Sequence, residues 1–174
     1  MKIKNVEIKA TCRDSQHLRN ILVSLGAHYA GCDHQIDTYY ETAHGRLKLR
    51  QGNIENALIA YRRKNTSAPK LSDVHLYKTS DPDGLAEILN SILDPIVVID
   101  KNRDIYFIDN VKFHLDEVSG LGNFMEIEAM DAANQYEESE LRRQVVMYMD
   151  LLGIQPDDLL THSYSDMIRM AHEA

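Results

Sequence analysis

Charged and apolar residues alternate one by one in several short segments of the chain, and this alternation constrains the fold more than any other feature. In Asn5–Lys9 the apolar residues share one face and the polar residues share the other, because successive strand side chains point to opposite sides. In Gly45–Arg50 the cations Arg46, Lys48 and Arg50 alternate with leucines. If the leucines face a core outside a barrel, these cations point together into its interior.

Strand-like segments outnumber helical ones, and they follow one another closely. The further segments of this kind are Asp37–Glu41, Ala57–Lys64, Val74–Lys78, Ile96–Lys101, Arg103–Ile108, Val111–Val118 and Phe124–Met130. Asp109-Asn110 predicts a tight hairpin turn between two of them. Because most connections are too short for the crossovers that parallel strands need, we expect an α+β fold with an antiparallel sheet and helices outside it.

Helix-start signals and helical periodicity predict a small number of helices. Ser15 is expected to cap the first helix, which Gly26 ends. Asp81-Pro82 begins a second, with an N-cap followed by proline in the first turn. Its apolar stripe is expected to be Leu85, Ile88, Leu89 and Ile92. A third helix spans about Tyr136–Leu152 and is long enough to serve as a homodimer interface, and a short tail helix follows Ser163.

Length and composition predict one domain over residues 1–174. The 174 residues, 44% of them hydrophobic, suffice for one buried core but not comfortably for two. The longest apolar run, Ile96–Ile99, is far below the roughly 20 residues of a membrane helix, and Met1–Lys4 leads into no signal-peptide core. Cys12 and Cys32 lack metal-ligand spacing and predict reduced thiols. We therefore expect a cytoplasmic protein with no membrane partner.

The overall charge restricts the partners of the chain. With 27 acidic and 19 basic residues the net charge is −8, which disfavours a polyanion, so we expect no nucleic acid partner. An anionic ligand must instead bind a local cluster of cations, and Lys101 with Arg103, and Tyr61 with Arg63, repeat the alternating arrangement. Phosphate groups suit several such cations at once. The alternative is that these cations are solvated on a sheet face or paired with the many acids.

Acidic residues also share strand faces. Glu126 and Glu128 lie on one face at i, i+2, and Glu7 and Asp116 lie on the charged faces of other strands. Carboxylates that converge beside a cation-lined cavity indicate a divalent ion, because Mg²⁺ and Mn²⁺ prefer oxygen ligands and bridge carboxylates to phosphate oxygens. The alternative is an ordinary solvated sheet face.

A series of short blocks in chain order resembles the CYTH family, also called triphosphate tunnel metalloenzymes. Asn5–Lys9 resembles the family's ExExK motif. The other blocks are Gln35–Tyr40, Gly45–Arg50, Leu58–Arg63, Lys70–Asp73, Lys101–Arg103, Leu115–Gly122, Glu126–Glu128 and Ser163–Asp166. The resemblance implies a closed antiparallel barrel of eight strands, whose cations grip a triphosphate and whose acids hold one or two Mg²⁺ or Mn²⁺ ions.

Matching positions take their expected roles from this resemblance. The residues expected to bind phosphates are Lys9, Lys48, Arg50, Arg63, Lys70, Lys101 and Arg103. The expected catalytic subset is Lys9, Lys48, Arg50, Lys101 and Arg103. The expected metal carboxylates are Glu7, Asp116, Glu126 and Glu128. Asn5 departs from the motif, where a glutamate usually stands, and this departure removes one negative charge from the metal site.

The resemblance implies a metal-dependent enzyme, and alternatives for its function stay open. We expect a class IV adenylate cyclase, which converts ATP to cyclic AMP and pyrophosphate, because Lys70–Ser80 and Ser163–Asp166 look most like that branch. A triphosphatase that hydrolyses inorganic or thiamine triphosphate would use the same residues with water as the nucleophile. A non-catalytic sensor of nucleotide or polyphosphate is the third alternative, and Asn5 favours it.

Overall fold

Eight antiparallel strands form a closed barrel in the computed structural model, which describes residues 1–63 and 66–173. The strands are β1 (Lys2–Thr11), β2 (His28–Tyr40), β3 (Arg46–Gly52), β4 (Ala57–Arg63), β5 (Lys70–Lys78), β6 (Pro95–Ile108), β7 (Val111–Val118) and β8 (Gly122–Asp131). Their order around the barrel is β1-β5-β4-β3-β2-β6-β7-β8, and β8 pairs with β1 to close it. The predicted α+β class and the eight-stranded barrel are confirmed.

The helices follow the predicted order with small changes at their ends. They are α1 (Ser15–Ser24), α2 (Pro82–Ile92), α3 (Glu138–Leu151) and α4 (Tyr164–Glu173), with a short 3₁₀ helix at Pro156–Asp158. Asp14 rather than Ser15 caps α1, because the Asp14 carboxylate accepts a hydrogen bond from the backbone N–H of His17. Asp81 caps α2 as predicted. Within the described residues, no helix has the length and apolar character needed to cross a membrane.

Several strands are longer than the alternation predicted. β2 begins at His28, which pairs with Phe107 near the far end of β6, although this part of the sequence shows no regular apolar alternation. β6 continues through Asn102 and joins two segments that were predicted separately. In β5, Lys70 is paired in register with Glu7, so this strand begins at Lys70 and not at Val74 as predicted. Backbone pairing with neighbouring strands thus decides these strand ends.

The outer face of β1, β7 and β8 packs against α1 and α3. Phe113 and Ile127 are fully buried in a cluster with Leu22 of α1 and Val145 of α3. The ring of Phe113 meets that of Tyr148 edge to face, with 4.9 Å between ring centroids. Because side chains alternate along a strand, burying this apolar face outward turns the intervening charged residues into the barrel.

The apolar stripe predicted for α2 is only partly buried. Leu89 packs with Tyr40 and Leu49 over the barrel, whereas Ile88 and Ile92 are 60% and 71% exposed. The prediction was wrong for these two isoleucines, because the helix contacts the barrel along a narrower strip than its apolar residues would cover. The position of α2 is therefore set by Leu89 and its neighbours.

Candidate active site

The interior of the barrel contains a cavity of about 350 Å³. Charged and imidazole side chains from six strands and the β3–β4 loop line it: Glu7, Lys9, Lys48, Arg50, Glu55, Lys78, Lys101, Arg103, Lys112, His114, Glu126 and Glu128. The structure therefore brings together the predicted cations Lys9, Lys48, Arg50, Lys101 and Arg103. It also brings Glu7, Glu126 and Glu128 to the same cavity.

Asp37 is the anion around which one group of cations is arranged. This carboxylate is 1% exposed and accepts hydrogen bonds from Lys48 at 2.7 Å, from Arg50 at 2.8 and 2.9 Å, and from Lys101 at 3.0 Å. Burial alone would raise the pKa of Asp37, but the charges of Arg50, Lys101 and Lys48 hold it well below its usual range. Asp37 is therefore ionised and orients these cations.

Arg103 is the centre of a second group of charges. Its guanidinium donates to Asp116, with 2.6 Å between Nε and Oδ1, and to Glu126 at 2.8 Å. Tyr164 donates its hydroxyl to Asp116 at 2.7 Å, and the Nζ atom of Lys9 lies 3.3 Å from the centroid of the Tyr164 ring. Lys9 also pairs with Glu126. The Asp116 carboxylate is thus occupied by Arg103 and Tyr164 and fixes the guanidinium.

His114 lines the cavity and contacts this group through Glu126. Its Nδ1 atom lies 3.1 Å from a carboxylate oxygen of Glu126. Burial and the nearby positive charge of Arg103 lower the pKa of His114 to about 3, so the ring is neutral near pH 7. A neutral ring that donates from Nδ1 leaves Nε2 as an acceptor, and Nε2 has no hydrogen-bond partner among the described residues.

The oxygen donors around Glu128 fit a divalent cation. Glu7 and Glu128 are paired in register across β1 and β8, and Asn5 donates a hydrogen bond from Nδ2 to Glu128. The buried Oδ1 of Asn5 has no partner within the part of the chain that the structure describes. Burial, followed by the charge of Glu7, raises the pKa of Glu128, so a cation here would relieve both repulsion and desolvation.

Side chains of the described residues alone do not complete the coordination of a metal ion near Glu128. Over residues 1–63 and 66–173, no group of three or more His, Cys, Asp or Glu side chains converges closely enough to hold a metal ion. Mg²⁺ commonly binds through one or two carboxylates, keeps several waters and takes further oxygens from substrate phosphates. Glu7, Glu128 and the amide oxygen of Asn5 fit that mode of binding better than a preformed all-protein cage.

Other predicted residues lie elsewhere. Arg46 does not line the cavity with its neighbours but donates to Asp166 at 3.0 Å and to Ser163, so it ties α4 to one end of the barrel. Lys70 is 3% exposed, and its Nζ atom lies 3.5 Å from the Thr66 carbonyl oxygen. The side chain of Arg63 falls outside the described residues.

Sequence reasoning missed some residues that shape the cavity. Lys112 could have been found, because it continues the alternation of His114 and Asp116 along β7. Asp37 belongs to a recognised block, but nothing in its spacing shows that it neutralises cations from two other strands. Glu55 lies in a turn and carries no periodic signal. Cations of the cavity are therefore paired with the chain's own acids, which is one of the alternatives that the sequence left open.

Solved structures share this fold at low sequence identity. The PH1012 protein from Pyrococcus horikoshii OT3 aligns with a TM-score of 0.77 and 22% identity over 93% of this chain and 98% of that chain. A proposed adenylate cyclase from Vibrio parahaemolyticus aligns with a TM-score of 0.77 and 17% identity, over 95% of this chain and 97% of that chain. A proposed adenylyl cyclase from Hippeastrum, described as having a dominant triphosphatase activity, gives a TM-score of 0.62 and 14% identity, over 98% and 96%. No curated protein sequence matches the chain significantly.

The closed antiparallel barrel with its charged interior is the fold of the triphosphate tunnel proteins. The sequence model of the CYTH domain matches residues 4–164. The chain therefore belongs to the CYTH domain family, and the resemblance drawn from its short motifs is confirmed.

We expect Lys101 to take up a proton when a polyphosphate binds in the cavity. Burial and the charge of Arg103 lower the pKa of Lys101 to about 7, so near pH 8 its amine is mostly neutral in the ligand-free protein. A bound anion raises that pKa again, so the wild type should take up about one proton when it binds tripolyphosphate at pH 8. Lys101→Arg should take up about one proton fewer, because its guanidinium is charged before and after binding. The difference should shrink at pH 6, where Lys101 is already protonated.

Calorimetric titrations of tripolyphosphate in buffers of different ionisation enthalpy measure this uptake. Comparison with Lys101→Arg removes the protons that the ligand itself exchanges. Equal uptake by both proteins at pH 8 would show that Lys101 is charged before binding.

Proposed function

We propose that the protein is a divalent-metal-dependent enzyme that acts on a triphosphate inside the barrel, with ATP cyclisation to cyclic AMP and pyrophosphate as its reaction. The observation that carries the proposal is the convergence of Lys9 from β1, Lys48 from β3, and Lys101 and Arg103 from β6 on one cavity beside Glu126. Phosphoryl and nucleotidyl transfer need little covalent help from a protein, because catalysis rests on positioning and on neutralising charge.

The cations have distinct tasks in this proposal. Arg103 is held by Asp116 and Glu126, so its planar guanidinium is fixed before substrate arrives. Lys48 and Lys101, held by Asp37, supply ammonium groups that neutralise the pyrophosphate as it departs. In cyclisation the ribose 3′-hydroxyl loses its proton and attacks the α-phosphorus, and the bond from that phosphorus to the α–β bridging oxygen breaks to release pyrophosphate.

The acids beside these cations are proposed to hold Mg²⁺ or Mn²⁺. Glu7, Glu126 and Glu128 line the cavity and present carboxylate oxygens, whereas Asp116 acts by orienting Arg103. When bound, the ion would neutralise nonbridging phosphate oxygens and favour attack at phosphorus. Asn5 donates to Glu128 and keeps that carboxylate facing the ion site.

Triphosphate hydrolysis is the second candidate function. The same cavity would serve it, with water attacking the terminal phosphorus, and the Hippeastrum relative in fold is described with a dominant triphosphatase activity. A sensor that binds without turnover is the third candidate, and the neutral Asn5 in place of a carboxylate supports it. The three differ in their products and not in their binding residues.

Product identification separates these candidates. The protein is incubated with ATP, inorganic triphosphate or thiamine triphosphate and either Mg²⁺ or Mn²⁺, and phosphorus NMR follows the products. We expect cyclic AMP and pyrophosphate from ATP. Release of orthophosphate would show that the reaction is hydrolysis and not cyclisation. The absence of any product with all three substrates would leave the sensor as the function.

Variants of the two glutamates should separate catalysis from binding. Glu126→Ala and Glu128→Ala each should abolish metal-dependent turnover, because each removes a carboxylate from the ion site. Lys48→Ala should instead weaken triphosphate binding by about 10- to 150-fold, the effect of losing one charge-assisted hydrogen bond.

Turnover assays and calorimetric titrations check these effects. Glu117→Ala at the exposed position of β7 and Lys2→Ala at the start of β1 are the matched controls. Unchanged turnover in either glutamate variant would remove that residue from the proposed metal site.

A further inference from the structure

We propose that Glu55 is an internal anion that occupies a phosphate subsite made by Arg50 and Lys112, and that the substrate's phosphate must displace it. Glu55 would thereby set how tightly the barrel holds a triphosphate and how well it distinguishes phosphate chains of different length. The inference rests on the proposed function, because it requires that a triphosphate binds in this cavity.

The contacts of Glu55 resemble those of a bound phosphate. One carboxylate oxygen lies 3.0 Å from Nη1 of Arg50, and the other pairs with Nζ of Lys112. Glu55, Arg50 and Lys112 all line the cavity. A carboxylate between two cations, with one oxygen toward each, holds them in the arrangement that two phosphate oxygens would use.

Arg50 and Lys112 are well suited to exchange Glu55 for a phosphate. Asp37 already fixes Arg50 through Nε and Nη2, so displacing Glu55 frees Nη1 without releasing the side chain. Lys112 points its ammonium group into the same cavity. A phosphoryl group carries more charge than a carboxylate and accepts hydrogen bonds from both cations, so it can replace the carboxylate.

The backbone around Glu55 is fixed, so its presence in the cavity is built into the fold. Asp33 is fully buried and accepts hydrogen bonds from the backbone N–H groups of Ile54 at 2.8 Å and of Glu55 at 2.9 Å. At Gly52 a Cβ atom would lie 2.7 Å from the Glu55 carbonyl oxygen, so the turn excludes any larger residue. The Glu55 side chain is 27% exposed, which leaves it room to move aside.

The register of the strands places this subsite away from the Arg103 group. Lys112 is paired with Glu128, whereas Lys9 is paired with Glu126, two residues along β8. Two residues of strand span about 7 Å. A chain of three phosphates covers more of that distance than pyrophosphate does, so the longer chain competes with Glu55 while pyrophosphate can bind the Lys9–Arg103 level alone.

Calorimetric titration of Glu55→Gln with tripolyphosphate and pyrophosphate, both without metal, tests the inference. Removing the competing charge should tighten tripolyphosphate binding by about tenfold, because close charge pairs contribute at least that much to binding. Pyrophosphate binding should tighten by less than about threefold. Glu87→Gln on the exposed face of α2 removes the same charge from the surface and should match the wild type.

The outcomes distinguish this inference from the proposed function. If the wild type binds tripolyphosphate and Glu55→Gln binds it equally or more weakly, Glu55 is a structural counter-ion and the inference is overturned alone. If neither protein binds it, both proposals fail. If Glu55→Gln does not fold, Glu55→Asp is used in its place. The shorter aspartate carboxylate cannot reach both cations, so this variant should also bind tripolyphosphate more tightly. Equal affinity in Glu55→Asp and the wild type would then overturn the inference.

Discussion

Ion pairing inside a closed barrel is the interaction on which the site depends. Lysines and arginines that converge in one cavity repel each other and lose hydration, and the loss of hydration alone costs several kcal/mol for each buried ion unless a partner offsets it. Asp37 beside Lys48, Arg50 and Lys101, and Asp116 beside Arg103, provide that partner. The carboxylates therefore hold the cations in place, although the burial of Lys101 works against its charge.

The same pairing links the fold to its proposed chemistry. A substrate that enters the barrel exchanges existing ion pairs for new ones, so its net affinity depends on what each cation already contacts. Arg103 has a fixed geometry because it is held by a buried carboxylate, which in turn accepts a hydrogen bond from a tyrosine hydroxyl, whereas Lys112 faces a carboxylate on a turn. In the proposed function, rigid groups would position the phosphate chain, and exchangeable ones would set how strongly it is held.

The sequence predicted the parts that follow from period-two alternation. Lys9, Lys48 and Arg103 line the cavity because their apolar neighbours are buried against helices or other strands, and a one-residue shift would reverse both faces. The pairing of Asp37 with Lys101 could not be predicted, because it depends on β2 lying beside β6 after barrel closure. Arg46 obeys the alternation but is drawn to Asp166 at the barrel end, which no local pattern encodes.

A crystal structure of the protein with tripolyphosphate and Mn²⁺ tests the central claim most directly, which is that the barrel interior binds a triphosphate beside a metal ion. The account predicts phosphate density within hydrogen-bond distance of Lys48, Lys101 and Arg103, and an anomalous manganese peak next to Glu126 and Glu128. Tripolyphosphate bound only to the outer surface, with the ion pairs of Asp37 and Arg103 unchanged, would contradict it.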